Sequence, residues 1–413
     1  MSRRDEIAEK MKQIVGEENV VTDKEVLEDA THDRFRKYEG YHKVYTNPLP
    51  AAVVFVNNAE EVSSVLRYCN AKKINVVPRT GHSATEGGLE TIVEDSIVLD
   101  GSHMNKIIEI DEVNMQATAE CGVVLEDLEN AVRKLGYTTG HSPQSKPIAQ
   151  MGGLVATRSI GQFSTLYGGI EDMLAGVETV FPDGTICDIK AVPRRSAGPD
   201  IRHVVLGNEG ALNFITKVTV KLWKYYPQFH ECMGYTLDNM HDGLNIMREV
   251  MVEGYRPSVA RLYDAEDGKE HFSHFAADKC VLLFVTEGPE LISHATAEGI
   301  RKIVENHPEC TQVETKLIET WFANLNWDAA RIEEERKEVL ETNNVCCTTE
   351  ISAPWSAVHE IYDVCVKRIM EEIPDITIFG AHASHCYPNG INLYFVYWYN
   401  VVDCTPENEI TKY

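Results

Sequence analysis

Two groups of residues in this chain have the types and spacing for chemistry. The first is a set of glycine-rich loops. Pro78–Gly88 reads PRTGHSATEGG, the stretch from Gly136 reads GYTTGHSPQSKPIAQMGGLVATRSIGQFSTLYGGIEDML, and Gly207-Asn-Glu-Gly210 lies just ahead of Ile215 and Thr216. Glycine has no Cβ, so such segments let one backbone approach another, or a ligand, closely. Their N–H groups form nests for anionic oxygens. A diphosphate bridge draws donors from several separate loops, so the combination predicts a site for a long, flat, phosphate-bearing cofactor rather than surface turns. The second group lies in the C-terminal half. Arg261, in Ser258-Val-Ala-Arg-Leu-Tyr-Asp264, is flanked by apolar residues as in a strand. It reads either as a bidentate fork for a carboxylate or phosphate, or as the partner of an acid such as Asp264. Ala381-His-Ala-Ser-His385 and Tyr394–Tyr397 complete the group. Strand alternation puts His382 and Ser384 on one face and His385 on the other, and separates Tyr394 from Tyr397. Two histidines three apart also admit a metal, but no carboxylate pair lies near them and no metal site is expected.

Bulk properties narrow the functions. The chain has 413 residues, enough for two domains with separate cores. It is 43% hydrophobic and 25% charged, as in ordinary globular proteins. A formal charge of -25 argues against nucleic acid and anionic membrane surfaces as partners. The N-terminus alternates charged and apolar residues, unlike a signal peptide, and no run approaches the ~20 apolar residues of a membrane span. Eleven cysteines without a C-x-x-C pair read as reduced cytoplasmic thiols, with the adjacent Cys346 and Cys347 structural.

The elements that must position these groups are legible in outline. Residues 1–30 read as one or two short helices. Ala51–Val56 is a strand, Asn58 opens a helix with Val62, Val65, Leu66 and Cys69 on one face, and Ile74–Pro78 is a second strand. A nicotinamide-type fingerprint would follow the first strand and open a helix. Here the glycine loop follows the second strand and leads to another, Ser96–Asp100, so that reading is weak. Ile107–Ile110 and Met115–Glu120 form a hairpin, and Leu125–Leu135 a helix stopped by Gly136. His241–Val252, Ile292–Glu305 and Trp355–Glu372 read as helices, Val281–Thr286 and Asn392–Tyr399 as strands.

In this order of elements, the blocks I-x-V-x-P-R, T-G-H-x-P-x-S, G-G-x-V-A-T-x-x-x-G and Y-G-x-I-E-D resemble the FAD-linked oxidases of the vanillyl-alcohol oxidase superfamily. The nearest likeness within it is to alkyldihydroxyacetonephosphate synthases, supported by G-P-D-I-x-H, by P-S-V-A-R-L-Y-D at Pro257–Asp264 and by S-A-P-W at Ser352–Trp355. It runs from about Pro48 to Tyr399 and is weak near His271–Leu340. The resemblance implies an α+β fold: an N-terminal helical segment (1–47), a PCMH-type FAD-binding domain of two α+β subdomains (48–225), and a substrate-binding cap with an antiparallel sheet flanked by helices (226–413).

Carried over residue by residue, it implies that the loop beginning at Pro78 cradles the FAD diphosphate through Thr80, Gly81, His82, Ser83 and Ala84. Pro143, Ser145, Gly152, Gly153, Ala156, Thr157 and Gly161 would line the flavin and its ribityl chain, with Glu209, Gly210 and Ile215 near the ribose and adenine. The family shows three glycines where this chain has Thr80-Gly81-His82. His82 either contacts the diphosphate or attaches the flavin covalently; berberine-bridge-type relatives place their histidine one position later, on Ser83. Arg261 would hold an anionic small molecule, with His382, His385, Tyr394 or Tyr397 near the reacting carbon. Alkyldihydroxyacetonephosphate synthase carries an arginine within the segment matching Gly380–Tyr387, where this chain has no Arg or Lys and His382 is the occupant. Three functions are expected from this: a dehydrogenase or oxidase of a 2-hydroxy-acid-like substrate, a synthase-like transferase without net redox, or a flavin subunit serving an electron-acceptor protein. A homodimer is a further expectation. Thr405-Pro-Glu-Asn-Glu opens a helix that the residues to Tyr413 do not complete. The resemblance puts a histidine-rich loop beyond such a helix, so a further C-terminal segment is expected.

Overall fold

The structure is a computed structural model and describes residues 2–326 and 329–401; the expected Thr405 helix lies outside them. Helix Arg3–Val15 starts at a capping box in which Ser2 and Asp5 satisfy each other's backbone N–H. Its buried face of Ile7, Met11 and Val15 packs with Val62, Val65 and Leu66 of helix Ala59–Lys72, which is capped by the Asn58 side chain accepting from Glu61 N–H. Both helices share a core with a four-stranded sheet ordered Val20–Val21, Ala52–Phe55, Ile97–Asp100, Val76–Arg79. The last three strands are parallel, and the two strands of the expected β-α-β unit flank Ile97–Asp100 instead of pairing directly.

A second sheet is antiparallel: Ile107–Asp111, Gln116–Glu120, Phe214–Lys221, Leu174–Val180, Ile186–Ile189. Its core also takes in Leu125, Leu128, Met151, Leu154 and Val155, which anchor the helices on either side of the glycine-rich segment. Chain folding thus brings the Pro78–Gly88 turn, the 140–162 segment and the Gly207–Gly210 turn to one place.

The third sheet is antiparallel. Its main path runs Thr311–Gln312, Glu231–Leu237, Cys280–Thr286, Val259–Tyr263, Ile376–Ala383, Gly390–Asn400, Asn344–Pro354, with Cys386–Tyr387 pairing off Gly390–Asn400. Alternation along Val259–Tyr263 sends Ala260 and Leu262 into a core with Leu244, Met247, Val250 and Ile300 of the covering helices. Val259 and Tyr263 enter a separate cluster with Phe272 and Ile318. Arg261 lies between those two residues and so shares their side of the sheet. The last helix begins at Val358, not Trp355. Trp355 directly follows the strand, and its Nε1 donates to the Tyr387 carbonyl at 3.0 Å. Among the described residues no helix is long and apolar enough to cross a membrane.

Candidate active site

One cavity of about 440 Å³ opens between the glycine loops and the third sheet. The N-terminal half contributes Pro78, Thr80, Gly81, His82, Ser83, Ala84, Pro143, Ser145, Gly152, Gly153, Ala156, Thr157, Glu209, Gly210 and Ile215; the third sheet and the turn after Ala383 contribute Arg261, His382, His385 and Tyr394. Two expected residues do not line it. Gly161 serves packing: a Cβ there would lie 2.6 Å from Ser142 N, so glycine lets these two loops meet. Tyr397 stacks on Phe379, ring centroids 6.2 Å apart. Opposite strand faces separate it from Tyr394, and Tyr394 is the one at the cavity.

Close approach explains the glycines. At Gly81 a Cβ would meet Ile148 O at 2.6 Å, and at Gly152 it would meet the Cys121 Cβ at 2.6 Å. Gly210 has φ +83°, and a Cβ on it would fall 1.9 Å from Pro78 Cγ, so the first and third loops touch only because that side chain is missing. His82 also adopts a left-handed φ of 52°. Its Nε2 pairs with the His32 carbonyl at 2.9 Å, a contact to protein rather than to a ligand.

On the sheet side, Arg261 is 3% exposed and forms no hydrogen bond or ion pair among the described residues. Asp264, the alternative partner offered by the sequence, is taken: it accepts from Asp267 N–H, Ala381 N–H and Tyr362 O–H at 2.8 to 3.0 Å. Burial pushes the Asp264 carboxyl up to about 6. The Arg261 guanidinium lies 5.0 Å from the Tyr263 ring centroid and 5.5 Å from that of Trp321, an aromatic bed that holds a cation without neutralising it.

His382 bonds through Nδ1 to Asp267 Oδ2 at 2.7 Å and stacks on Tyr394, centroids 5.1 Å apart at 14°. Burial raises the Asp267 carboxyl, but the adjacent His382 more than offsets this and the acid stays below its ordinary range. Burial lowers His382 and Asp267 only partly restores it, so the ring is neutral at pH 7. A neutral ring beside a carboxylate carries its hydrogen on Nδ1, which leaves Nε2 as a lone-pair acceptor. Strand Ile376–Ala383 ends before His385, so alternation no longer governs that residue and both histidines line the same cavity. Asn392 makes this turn: its Oδ1 accepts from Ser384 N–H and His385 N–H, both at 2.9 Å, while its Nδ2 donates to Glu350 Oε1 at 2.7 Å.

Sequence reasoning missed Asp267, Asn392 and Glu350. It also missed Gln150, Gln162 and Asn213, cavity residues with a buried side-chain atom (Oε1, Nε2 and Nδ2) that has no partner. A buried unsatisfied polar group costs ~1–3 kcal/mol, so these atoms mark a wall completed by a polar ligand. Among the described residues no cluster of three or more His, Cys, Asp or Glu is arranged to hold a metal. The donor set and the close-packed glycine loops fit FAD.

Comparison with known proteins agrees with that geometry. An FAD binding domain model matches residues 50–190, and the C-terminal domain model of FAD linked oxidases matches 226–403. The chain belongs to the FAD-linked oxidoreductase family, and FAD is its cofactor. It is 62% identical over 410 residues to the FAD-linked oxidoreductase YgcU of Escherichia coli (strain K12), covering 98% of this chain and 85% of that one. It is 34% identical over 229 residues to the mitochondrial D-2-hydroxyglutarate dehydrogenase of Arabidopsis thaliana, covering 54% of this chain and 39% of that one. A solved alkyldihydroxyacetonephosphate synthase superposes with a TM-score of 0.83 at 21% identity, covering all of this chain and 79% of the other; this likeness establishes the α+β fold.

Proposed function

We propose that this protein is an FAD-dependent dehydrogenase or oxidase of a 2-hydroxy-acid-like substrate, with residues 48–225 holding the cofactor and 226–413 forming the cap. The observation that carries this reading is a buried arginine that forms no direct hydrogen bond or ion pair among the described residues, in the same cavity as an Asp267–His382 pair. Arg261 clamps the carboxylate through its planar fork. An unpaired buried cation is costly, and a carboxylate ligand removes that cost, so anionic substrates are selected. His382 Nε2 takes the hydroxyl proton, and Asp267 both fixes the ring and stabilises the imidazolium that forms. Tyr394 stacks on that ring and limits its rotation. FAD held by the glycine-loop residues of this cavity would supply the two-electron sink for the carbinol hydride. The flanks of Gly153 and Ala156 are small enough for a flat ring system. The partial identity to a D-2-hydroxyglutarate dehydrogenase supports this chemistry.

A synthase-like transferase is less well supported: the segment Gly380–Tyr387 offers no Arg or Lys to a phosphate. Anaerobic mixing of the purified flavoprotein with a panel of 2-hydroxy acids tests the proposal. Loss of the oxidised flavin spectrum with at least one of them is the expected result. No bleaching with any of them, together with exchange of an acyl chain for a fatty alcohol on dihydroxyacetone phosphate, would replace it with the transferase. Reoxidation only by a co-purifying protein would identify the chain as the flavin subunit of an electron-transfer pair.

A further inference from the structure

The two cavity histidines are wired differently. His382 spends its Nδ1 hydrogen on a carboxylate of its own half. His385 spends Nδ1 on a hydroxyl from the other half of the molecule: Ser164 Oγ, at the start of helix Ser164–Tyr167, lies 2.9 Å from it. That same Oγ accepts the Tyr387 phenol hydrogen at 3.1 Å. A serine hydroxyl has one hydrogen to give. It accepts from Tyr387, and no other acceptor for its own hydrogen exists among the described residues, so the arrangement that satisfies every group sends that hydrogen to His385 Nδ1. The ring must then carry its own hydrogen on Nε2, which makes no hydrogen bond among the described residues and faces the cavity.

We infer that His385 is a neutral hydrogen-bond donor to the substrate oxygen, and that Ser164 and Tyr387 are positioning residues that fix this tautomer. The inference rests on the hydroxy-acid reading above. Burial, with Arg261 and His382 close by, pushes His385 down to about 3, so the ring stays neutral through the working range. Oppositely polarised groups then meet one carbinol. The hydroxyl proton goes to His382 Nε2, the hydride leaves the carbon with two electrons for FAD, and the C–O bond becomes C=O. His385 keeps its proton throughout and supports the oxygen as charge develops there. Because Ser164 belongs to the cofactor half and His385 to the cap, the donor is set only when the halves are docked. Thr165 Oγ1 and Cys386 Sγ, 3.8 Å apart, extend that contact.

Nitrogen-15 NMR of the histidine-labelled, flavin-loaded full chain reads the tautomers without any substrate, with His385→Gln and His382→Gln assigning the signals. The expected spectrum at pH 7 has His385 protonated on Nε2 only and His382 on Nδ1 only. In Ser164→Ala the His385 signal moves toward a mixture of tautomers while His382 keeps its own. A His385 protonated on Nδ1, or charged, in the wild type overturns the inference. So does a Ser164→Ala spectrum identical to wild type. The kinetic counterpart uses whichever hydroxy acid bleaches the flavin best. Ser164→Ala slows reduction about 10- to 100-fold at saturating substrate with KM little changed, less than the ~10²–10³ for outright loss of an oxyanion donor because His385 remains, and Ser164→Thr restores most of the rate. If instead no hydroxy acid bleaches the wild type while the tautomers are as stated, the substrate reading has failed and His385's role falls with it, although its hydrogen bonding stands.

Discussion

Replacing Asp267 with Asn keeps the shape of the His382 partner and removes its charge. The Asp267 and His382 side chains are 4% and 12% exposed and their bond is 2.7 Å, so solvent screens the pair little. A hydrogen bond to a charged group is worth ~1.5–3 kcal/mol. Loss of that stabilisation of the imidazolium slows proton removal by about 10- to 150-fold. Asn also has an NH2 to present. If it turns this toward Nδ1, the ring hydrogen moves to Nε2 and base catalysis is lost altogether, a penalty of about 10²–10⁴. The expected outcome is a fall of at least about tenfold in the anaerobic rate of flavin reduction. Affinity for the acid stays the same or tightens slightly, because Arg261 loses a nearby competing anion. Stopped-flow reduction at several substrate concentrations separates the two quantities. An unchanged limiting rate, or a change confined to the dissociation constant, would refute the assignment of His382 as base.

Three further outcomes follow from the geometry. Gly210→Ala combines a left-handed φ with a Cβ 1.9 Å from Pro78 Cγ, so the variant should purify with far less flavin than wild type, read as the ratio of visible to protein absorbance. Tyr397→Phe should leave flavin reduction within about twofold of wild type, since its ring lies off the cavity, whereas Tyr394→Phe should slow it by loosening the ring stacked on His382; equal effects would contradict the face assignment. Buried His141 and His385, pushed from 6.5 down to about 4 and about 3, bind protons only in the unfolded chain as pH drops below about 6.5. Their contribution is therefore complete above that pH and lost as acid is added. Asp264, raised from 3.8 to about 6, opposes part of this by gaining a proton in the folded state first. Urea unfolding should show a net loss of about 2 kcal/mol between pH 7 and pH 5 from these groups; stability unchanged or rising over that range would contradict the burial argument.

What the sequence revealed and what it hid have physical causes. The cofactor wall was legible because paired glycines leave a mark in the chain itself: Gly81, Gly152 and Gly210 are each required by a backbone or side chain within 3 Å of where a Cβ would stand. Tyr394 and Tyr397 were separable because strand periodicity holds through Gly390–Asn400. It failed for His385, which sits just past a strand end in a turn built by Asn392. Asp267 and Ser164 left no local signal. They meet their histidines across 115 and 221 residues of chain, and only the docking of a helix onto a sheet, or of one half onto the other, creates those pairs. Of the two readings the sequence left open for Arg261, the ion pair with Asp264 fails because that side chain is consumed in capping helix Ala265–Ala276.

The most direct test of the account is anaerobic reduction of wild-type protein beside Arg261→Gln by the same 2-hydroxy acid. The wild type should lose its oxidised flavin spectrum, while the variant, with FAD still bound, should need at least about a hundredfold more substrate to reach the same rate, as expected for losing a buried charge-assisted fork. Equal concentration dependence in the two proteins, or no reduction of either, would contradict the claim that Arg261 and His382 converge with FAD on one hydroxy acid.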